Sequence, residues 1–169
     1  GVSHALLLTM NGHVYGSGIN RFGELLKVKC SDNYQQNQDM NIHELKGLSN
    51  IVKIGCSGES SFCLNDKGIM HTFGNNVNGI LGIGNKHFGD ESDDINIIKG
   101  YIFNDFHVGR CHIGCISNKL MLYTFGWNHY GQCGFKSCNI KINKPKKLGI
   151  NDPIIGVSCG YYHTIIMNN

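Results

Sequence analysis

Proline and charge are both scarce in this chain. There are 2 prolines in 169 residues, and Asp, Glu, Lys and Arg together make up 16%. No Pro-rich or Gly/Ser stretch divides the sequence, so nothing marks a domain boundary. No apolar run approaches the roughly 18 residues a membrane-spanning helix needs. No basic-then-apolar leader opens the chain and Asn-x-Ser/Thr acceptors are absent, which gives secretion no support and leads us to expect an intracellular protein, cytoplasmic or nuclear. The net charge of +3 is too small to argue for nucleic acid by itself. Glycine, by contrast, is plentiful at 23 residues. Long amphipathic helices rarely tolerate that much glycine, whereas short strands joined by tight turns do.

The glycines are phased. One frame, glycine, then asparagine two residues on, then two further glycines, runs through Gly126-Trp127-Asn128-His129-Tyr130-Gly131-Gln132-Cys133-Gly134. It recurs as Gly74-Asn75-Asn76-Val77-Asn78-Gly79-Ile80-Leu81-Gly82, and as Gly18-Ile19-Asn20-Arg21-Phe22-Gly23-Glu24-Leu25-Leu26, which ends in leucine. A second frame, Gly-x-x-His, appears at Gly1/His4, Gly109/His112 and Gly160/His163, with Ser61 replacing histidine after Gly58. The first frame repeats at intervals of 56 and 52, the second at 57, 51 and 51. A period near fifty signals a repeat architecture.

Between the frames lie short apolar runs and turns. His4 to Thr9 and His13 to Ser17 flank Asn11-Gly12; Phe62 to Leu64 and Ile69 to Phe73 flank Asp66-Lys67-Gly68. These are hairpin signals. The third hairpin carries Asn118-Lys119-Leu120 without a glycine, so Asn118 is expected in the left-handed conformation. Lys29 to Glu44, Asn85 to Asp94 and Lys136 to Lys147 read as exposed polar loops, the second acidic (Asp90 to Asp94) and the third basic (Lys141, Lys144, Lys146, Lys147). Ile51 to Ile54, Ile102 to Val108 and Ile154 to Val157 read as further strands. Each unit therefore supplies about four short strands, and four-stranded units stacked radially make a β-propeller. We expect an all-β partial propeller over 1–169, of about three four-stranded blades, with units at about 1–57, 58–108 and 109–159 and the start of a fourth at 160–169. The start inside a repeat frame leads us to expect a segment of a longer protein.

These residues resemble the regulator of chromosome condensation repeat. The likeness is carried by Gly1-Val2-Ser3-His4-Ala5-Leu6-Leu7-Leu8-Thr9, Gly12-His13-Val14-Tyr15, the frame from Gly126 to Gly134, and Ser158-Cys159-Gly160-Tyr161-Tyr162-His163-Thr164. It covers nearly the whole chain outside the long loops, with departures at Ser61, Leu26 and Leu120. The resemblance implies a seven-bladed propeller, of which this chain holds three repeats and part of a fourth.

The repeated residues read as architecture. Histidines 4, 112 and 163 begin inner strands, where a neutral imidazole can tie adjacent blades together. Asparagines 20, 76 and 128 can cap turns. Gly79-Ile80-Leu81-Gly82-Ile83-Gly84-Asn85-Lys86 is phosphate-loop-like in composition only, lacking the Gly-Lys-Ser/Thr ending. Cys111, Cys115, Cys133 and Cys138 with His112 or His129 have loose spacing for zinc, and the eight cysteines read as free thiols. Triads can be assembled from nine histidines, but no nucleophile elbow supports one. No catalytic residue, cofactor or metal is indicated.

Specificity must then reside in loops. Within the first frame the variable positions are Arg21/Phe22, Val77/Asn78 and His129/Tyr130, our candidate partner-binding residues. The expectation is a non-catalytic protein-interaction module that presents blade-face loops to a protein partner. The resemblance adds two alternatives, guanine-nucleotide exchange on a Ran-like small GTPase with chromatin association, and substrate recruitment within a larger ubiquitin-ligase-type protein. The remaining repeats of the longer chain are expected partners of the open ends.

Overall fold

The computed structural model describes residues 1–26, 38–84, 95–136, 138 and 140–168, with only the backbone of 38–40. Among these residues there is no helix. The strands are β1 (His4–Leu8), β2 (Val14–Ile19), β3 (Gln38–Glu44), β4 (Ile51–Ser57), β5 (Ser60–Asn65), β6 (Met70–Gly74), β7 (Asn96–Ile97), β8 (Phe103–Val108), β9 (His112–Ser117), β10 (Leu122–Trp127), β11 (Lys141–Lys147), β12 (Ile154–Cys159) and β13 (Thr164–Asn168). They form antiparallel meanders: β4-β5-β6-β7 and β8-β9-β10-β11 are four-stranded, β1-β2-β3 has three strands and β12-β13 two. The chain is all-β, an arc of a propeller.

The second, third and fourth sheets begin with the apolar run ahead of a Gly-x-x-His frame, not with the frame. The stretch 58–108 thus supplies β5, β6 and β7 of one sheet and β8 of the next. Sequence period and sheet are out of step by one strand.

Two of the polar stretches expected as loops contain strands. Gln38–Glu44 is β3 and Lys141–Lys147 is β11, each paired with the second strand of a hairpin. Both are outermost strands, half solvated, so apolar alternation is weak. β11 also carries a bulge: its register jumps between Thr124↔Lys146 and Gly126↔Ile142, which leaves the buried Ile142 and Pro145 three residues apart. That spacing erases the period of two. The expected loop over Asn85 to Asp94, including acidic Asp90 to Asp94, lies outside the described residues.

The cores lie between sheets. Val14, Leu25, Leu26 and Leu45 of the first sheet pack with Ile51, Cys63 and Phe73 of the second. Phe62, Leu64, Met70, Ile80 and Leu81 then meet Phe103, Phe106, Ile113 and Phe125 of the third. At the open end Ile116, Leu122 and Ile154 form a smaller cluster. Packing alternate faces of neighbouring sheets is what makes the strands short and apolar.

Main-chain hydrogen bonds reinforce each interface. The carbonyl at the hairpin turn accepts from the first strand of the next sheet: Ile51 N to Gly12 O at 3.2 Å, Phe103 N to Gly68 O at 2.9 Å, Ile154 N to Leu120 O at 2.9 Å. An ion pair from Lys53 to Asp105 joins β4 to β8.

In the third hairpin the left-handed residue is Leu120, φ 57°, and not Asn118. Leu120 aligns with Gly12 and Gly68, and its carbonyl must aim at β12 as theirs aim at β4 and β8. Register with the next blade decides the conformation, over side-chain preference. Leu26, at the last glycine of the first frame, likewise has φ 61°. A leucine held there costs about 1 kcal/mol or more relative to glycine. Leu120→Gly is therefore expected to stabilise the protein by about 1 kcal/mol, because this leucine is 39% exposed and little packing is lost. A chemical denaturation midpoint that fails to rise would count against it.

Candidate partner-binding face

The loops of the Gly-x-Asn frame are built by their own side chains. The asparagine Oδ1 accepts the N–H five residues on: Leu25 N to Asn20 at 2.8 Å, Leu81 N to Asn76 at 3.0 Å, Cys133 N to Asn128 at 2.9 Å. Asn20 Nδ2 also donates to Leu26 O at 2.6 Å, and Asn128 Nδ2 to Phe135 O at 3.2 Å. In the first and third blades a second clamp folds back. Phe22 N donates to Glu24 Oε2 at 2.7 Å, and Tyr130 N to Gln132 Oε1 at 3.0 Å. Loops tied this way hold their variable residues in fixed positions.

The Gly-x-x-His turns are tight for a related reason. Gly109 N donates to His112 O at 2.8 Å, and the His112 ring lies where a Cβ on Gly109 would be, with Cε1 2.6 Å away. His112 is fully buried and its Nε2 lies 2.9 Å from Thr164 Oγ1 of the next blade. Thr164 Oγ1 itself donates to Gln132 O at 2.8 Å, so it must accept from His112 Nε2–H. His4 repeats the scheme: its Nε2 lies 3.0 Å from Ser61 Oγ, which donates to Glu24 O at 2.6 Å. Burial lowers the pKa of both rings to about 4; at His112 a hydrogen bond with the His163 backbone works against this and His107 with it. These histidines are neutral inter-blade ties.

Four of the seven described thiols belong to the interior. Cys63, Cys115, Cys133 and Cys159 are buried, and all seven described cysteines are free; Cys30 lies outside the described residues. Burial pushes Cys133 up to about 12 and Cys159 to about 11. Among the described residues no three His, Cys, Asp or Glu side chains converge to hold a metal, so Cys111, Cys115, Cys133 and Cys138 are not brought together as ligands. Gly79, Gly82 and Gly84 take positive φ to pass close to Asn143, Phe125 and Lys144. Their role is packing against neighbouring strands.

The six candidate residues occupy equivalent loop positions. Arg21 is exposed and Phe22 half-buried. Val77 is exposed and its N–H donates to Asn75 Oδ1 at 2.8 Å, while Asn78 is half-buried and its side chain reaches the Cys111 thiol. His129 and Tyr130 are exposed and in contact, ring centroids 4.8 Å apart. The structure joins this last pair to residues that the repeat pattern alone does not single out. Tyr130 packs on Tyr162 with centroids 4.8 Å apart, and Trp127 meets His129, Tyr130 and Tyr162. Arg110 sits 4.1 Å above the Tyr161 ring and donates to Tyr162 Oη at 3.2 Å. Arg110, Tyr161 and Tyr162 are the variable residues of the Gly-x-x-His turns. A signal for them exists in the sequence: both frames have variable positions, and the fold places the two sets side by side. Asn78 and Arg110 line one cavity, so the second-blade loop is contiguous with this cluster.

The fold and these loops define a class, the repeat-built β-propeller. A model of the regulator of chromosome condensation (RCC1) repeat matches residues 121–167, and the chain belongs to the proteins built of this repeat. It is 30% identical over 133 residues to the bifunctional serine/threonine-protein kinase/NEDD4-like E3 ubiquitin-protein ligase of Dictyostelium discoideum, covering 70% of this chain and 7% of that protein. It is 26% identical over 166 residues to the probable E3 ubiquitin-protein ligase HERC4 of Rattus norvegicus, covering 97% of this chain and 15% of that one. Its fold matches that of Prp20p from Saccharomyces cerevisiae, a protein studied for its binding to Gsp1p and histones, with TM-score 0.82 at 16% identity over 97% of this chain and 41% of Prp20p. The chain thus spans a small part of each curated relative. Among the described residues no helix could cross a membrane.

Proposed function

We propose that this chain is a non-catalytic protein-interaction module whose blade-face loops dock a protein partner. The observation that carries this reading is the cluster of Trp127, His129, Tyr130, Tyr161, Tyr162 and Arg110. Its residues come from the variable positions of both frames and sit on loops fixed by the repeated ones. Tyr130, Tyr161 and Tyr162 are 61%, 51% and 40% exposed, and exposed tyrosine with arginine is the composition of binding hot spots. Arg21, Phe22, Val77 and Asn78 extend the same face along the arc. The module works inside the cell, in cytoplasm or nucleus, as part of a longer chain.

Tyr130→Ala is expected to weaken partner binding about tenfold to a hundredfold without lowering stability by more than about 0.5 kcal/mol. Affinity capture with quantitative mass spectrometry on the full-length protein checks it, and capture unchanged by the substitution would sink the proposal. A second reading is favoured by the fold shared with Prp20p: guanine-nucleotide exchange on a Ran-like GTPase, with chromatin association. Release of a fluorescent nucleotide from such a GTPase, accelerated by the full-length protein, would establish it. The two ligases among the relatives favour a third role, recruitment of substrates to a ubiquitin ligase, in which captured partners would accumulate when the ligase is inactivated.

A further inference from the structure

The second blade breaks the clamp that closes the loops on either side. In the first and third blades the residue after the second glycine, Glu24 or Gln132, turns its side-chain oxygen onto the N–H two positions earlier. In the second blade that residue is Ile80. Its side chain is buried in the core between β-sheets, 3% exposed, and it carries no oxygen to take the Asn78 N–H. Beside this loop lies a cavity of about 330 Å³, bordered by Glu59, Asn75, Asn78, Ile80, Arg110 and Cys111. We propose that this cavity is a socket for a carboxamide side chain, a glutamine presented by the protein partner, which supplies in trans the group that Gln132 supplies in cis.

The chemistry of the walls selects the amide. The Asn78 N–H is a donor for the carbonyl oxygen. Glu59 is exposed and accepts from Asn75 Nδ2 at 2.7 Å, and a carboxylate has acceptor capacity beyond one such bond for an amide NH₂. A carboxylate ligand would face Glu59 as a like charge. The Arg110 guanidinium, which could offset that, is turned toward Tyr161 and Tyr162. An apolar side chain would leave the Asn78 N–H and the Glu59 oxygen desolvated and unpaired.

This inference rests on the reading of the loop face as a protein-docking surface, and it is tested separately from it. Cys111 borders the socket, half-buried, whereas Cys138 is exposed outside it. The full-length protein is treated with iodoacetamide and the two cysteines are followed by peptide mass spectrometry. The probes are the N-acetylated, C-amidated pentapeptides Ala-Ala-Gln-Ala-Ala, Ala-Ala-Glu-Ala-Ala and Ala-Ala-Leu-Ala-Ala at millimolar concentration. The glutamine peptide is expected to slow alkylation of Cys111 by at least about twofold, the scale of weak single-side-chain binding, and to leave Cys138 unchanged. The glutamate and leucine peptides are expected to have no effect. Ile80→Gln should close the socket from within and abolish the effect. Since Ile80 is a core residue, exposed Glu59→Lys is the second variant: it removes the amide acceptor and should also abolish protection. Equal protection by all three peptides, protection by glutamate alone, protection that survives Glu59→Lys, or none at all overturns the socket. Partner capture lost on Tyr130→Ala while Cys111 ignores every peptide would overturn the socket and leave the docking surface standing.

Discussion

Gly126→Ala should cost about 3 kcal/mol of stability, far more than alanine at most other glycines of the chain. Gly126 has φ 104°, where an L-residue is strained. A Cβ there would also lie 2.5 Å from Cys111 O and 2.8 Å from His112 Cα. Both are main-chain atoms, pinned by the hydrogen bond from Trp127 N to Cys111 O at 2.8 Å, and neither can swing aside. The second and third strands of the sheet approach so closely here that only hydrogen fits between them. Gly74 repeats the arrangement, with φ 102° and Glu59 O 2.5 Å from where a Cβ would stand. Gly131→Ala is the control. Its φ is 79°, but the nearest heavy atom to its Cβ is Phe135 O at 3.8 Å, so only the conformational cost of about 1 kcal/mol remains. Urea unfolding of both variants checks the contrast, and equal losses would show that steric closure at Gly126 is not what fixes the strand crossing.

Lowering the pH from about 6.5 to about 4 should destabilise the protein through His112 by up to about 3 kcal/mol. In the folded chain burial keeps this ring neutral down to a pKa of about 4, while the unfolded chain takes up its proton near 6.5. The unfolded state therefore binds more protons across that window, so stability is complete above 6.5, falls as the pH falls, and loses nothing further from this group below about 4. His4 acts in the same sense. Glu24 opposes them, because burial raises the pKa of its carboxyl and favours the folded state as the pH drops. The readout is thus the difference between wild type and His112→Gln, a variant that can still donate to Thr164 but cannot titrate. It should be less stable at pH 7 and show a flatter pH dependence between 6.5 and 4. Parallel curves would mean that His112 is already exposed or charged in the folded protein.

The sequence carried the fold wherever a residue is constrained by a neighbouring backbone. Gly18, Gly74 and Gly126 recur because a methyl group has no room, and Asn20, Asn76 and Asn128 recur because each closes its own loop. Where the constraint came from a partner strand instead, local pattern misled. Gln38–Glu44 and Lys141–Lys147 look like loops because one face and one edge of an outer strand are wet, and only pairing with β2 or β10 makes them strands. Leu120 adopts the left-handed conformation because its carbonyl must reach Ile154, thirty-four positions away in the chain. Of the candidate face, the pair His129/Tyr130 was legible as variation inside a fixed frame. Trp127, Tyr161, Tyr162 and Arg110 were not, since their nearness to Tyr130 depends on how two frames about a third of a period apart are folded side by side.

The carbonyls of Gly12, Gly68 and Leu120 reach the adjoining sheet through main chain alone. These three bonds do not depend on the flanking side chains, whereas the rest of the joint uses the buried apolar cores and the His4–Ser61 and His112–Thr164 contacts. A unit set beside a new neighbour keeps these backbone bonds if the spacing is kept, but it must also match that neighbour's apolar face and its partner for the buried histidine. Surface residues such as Tyr130 are then free to diverge from one copy to the next without loosening the joints, and a single architecture can accumulate unrelated recognition surfaces.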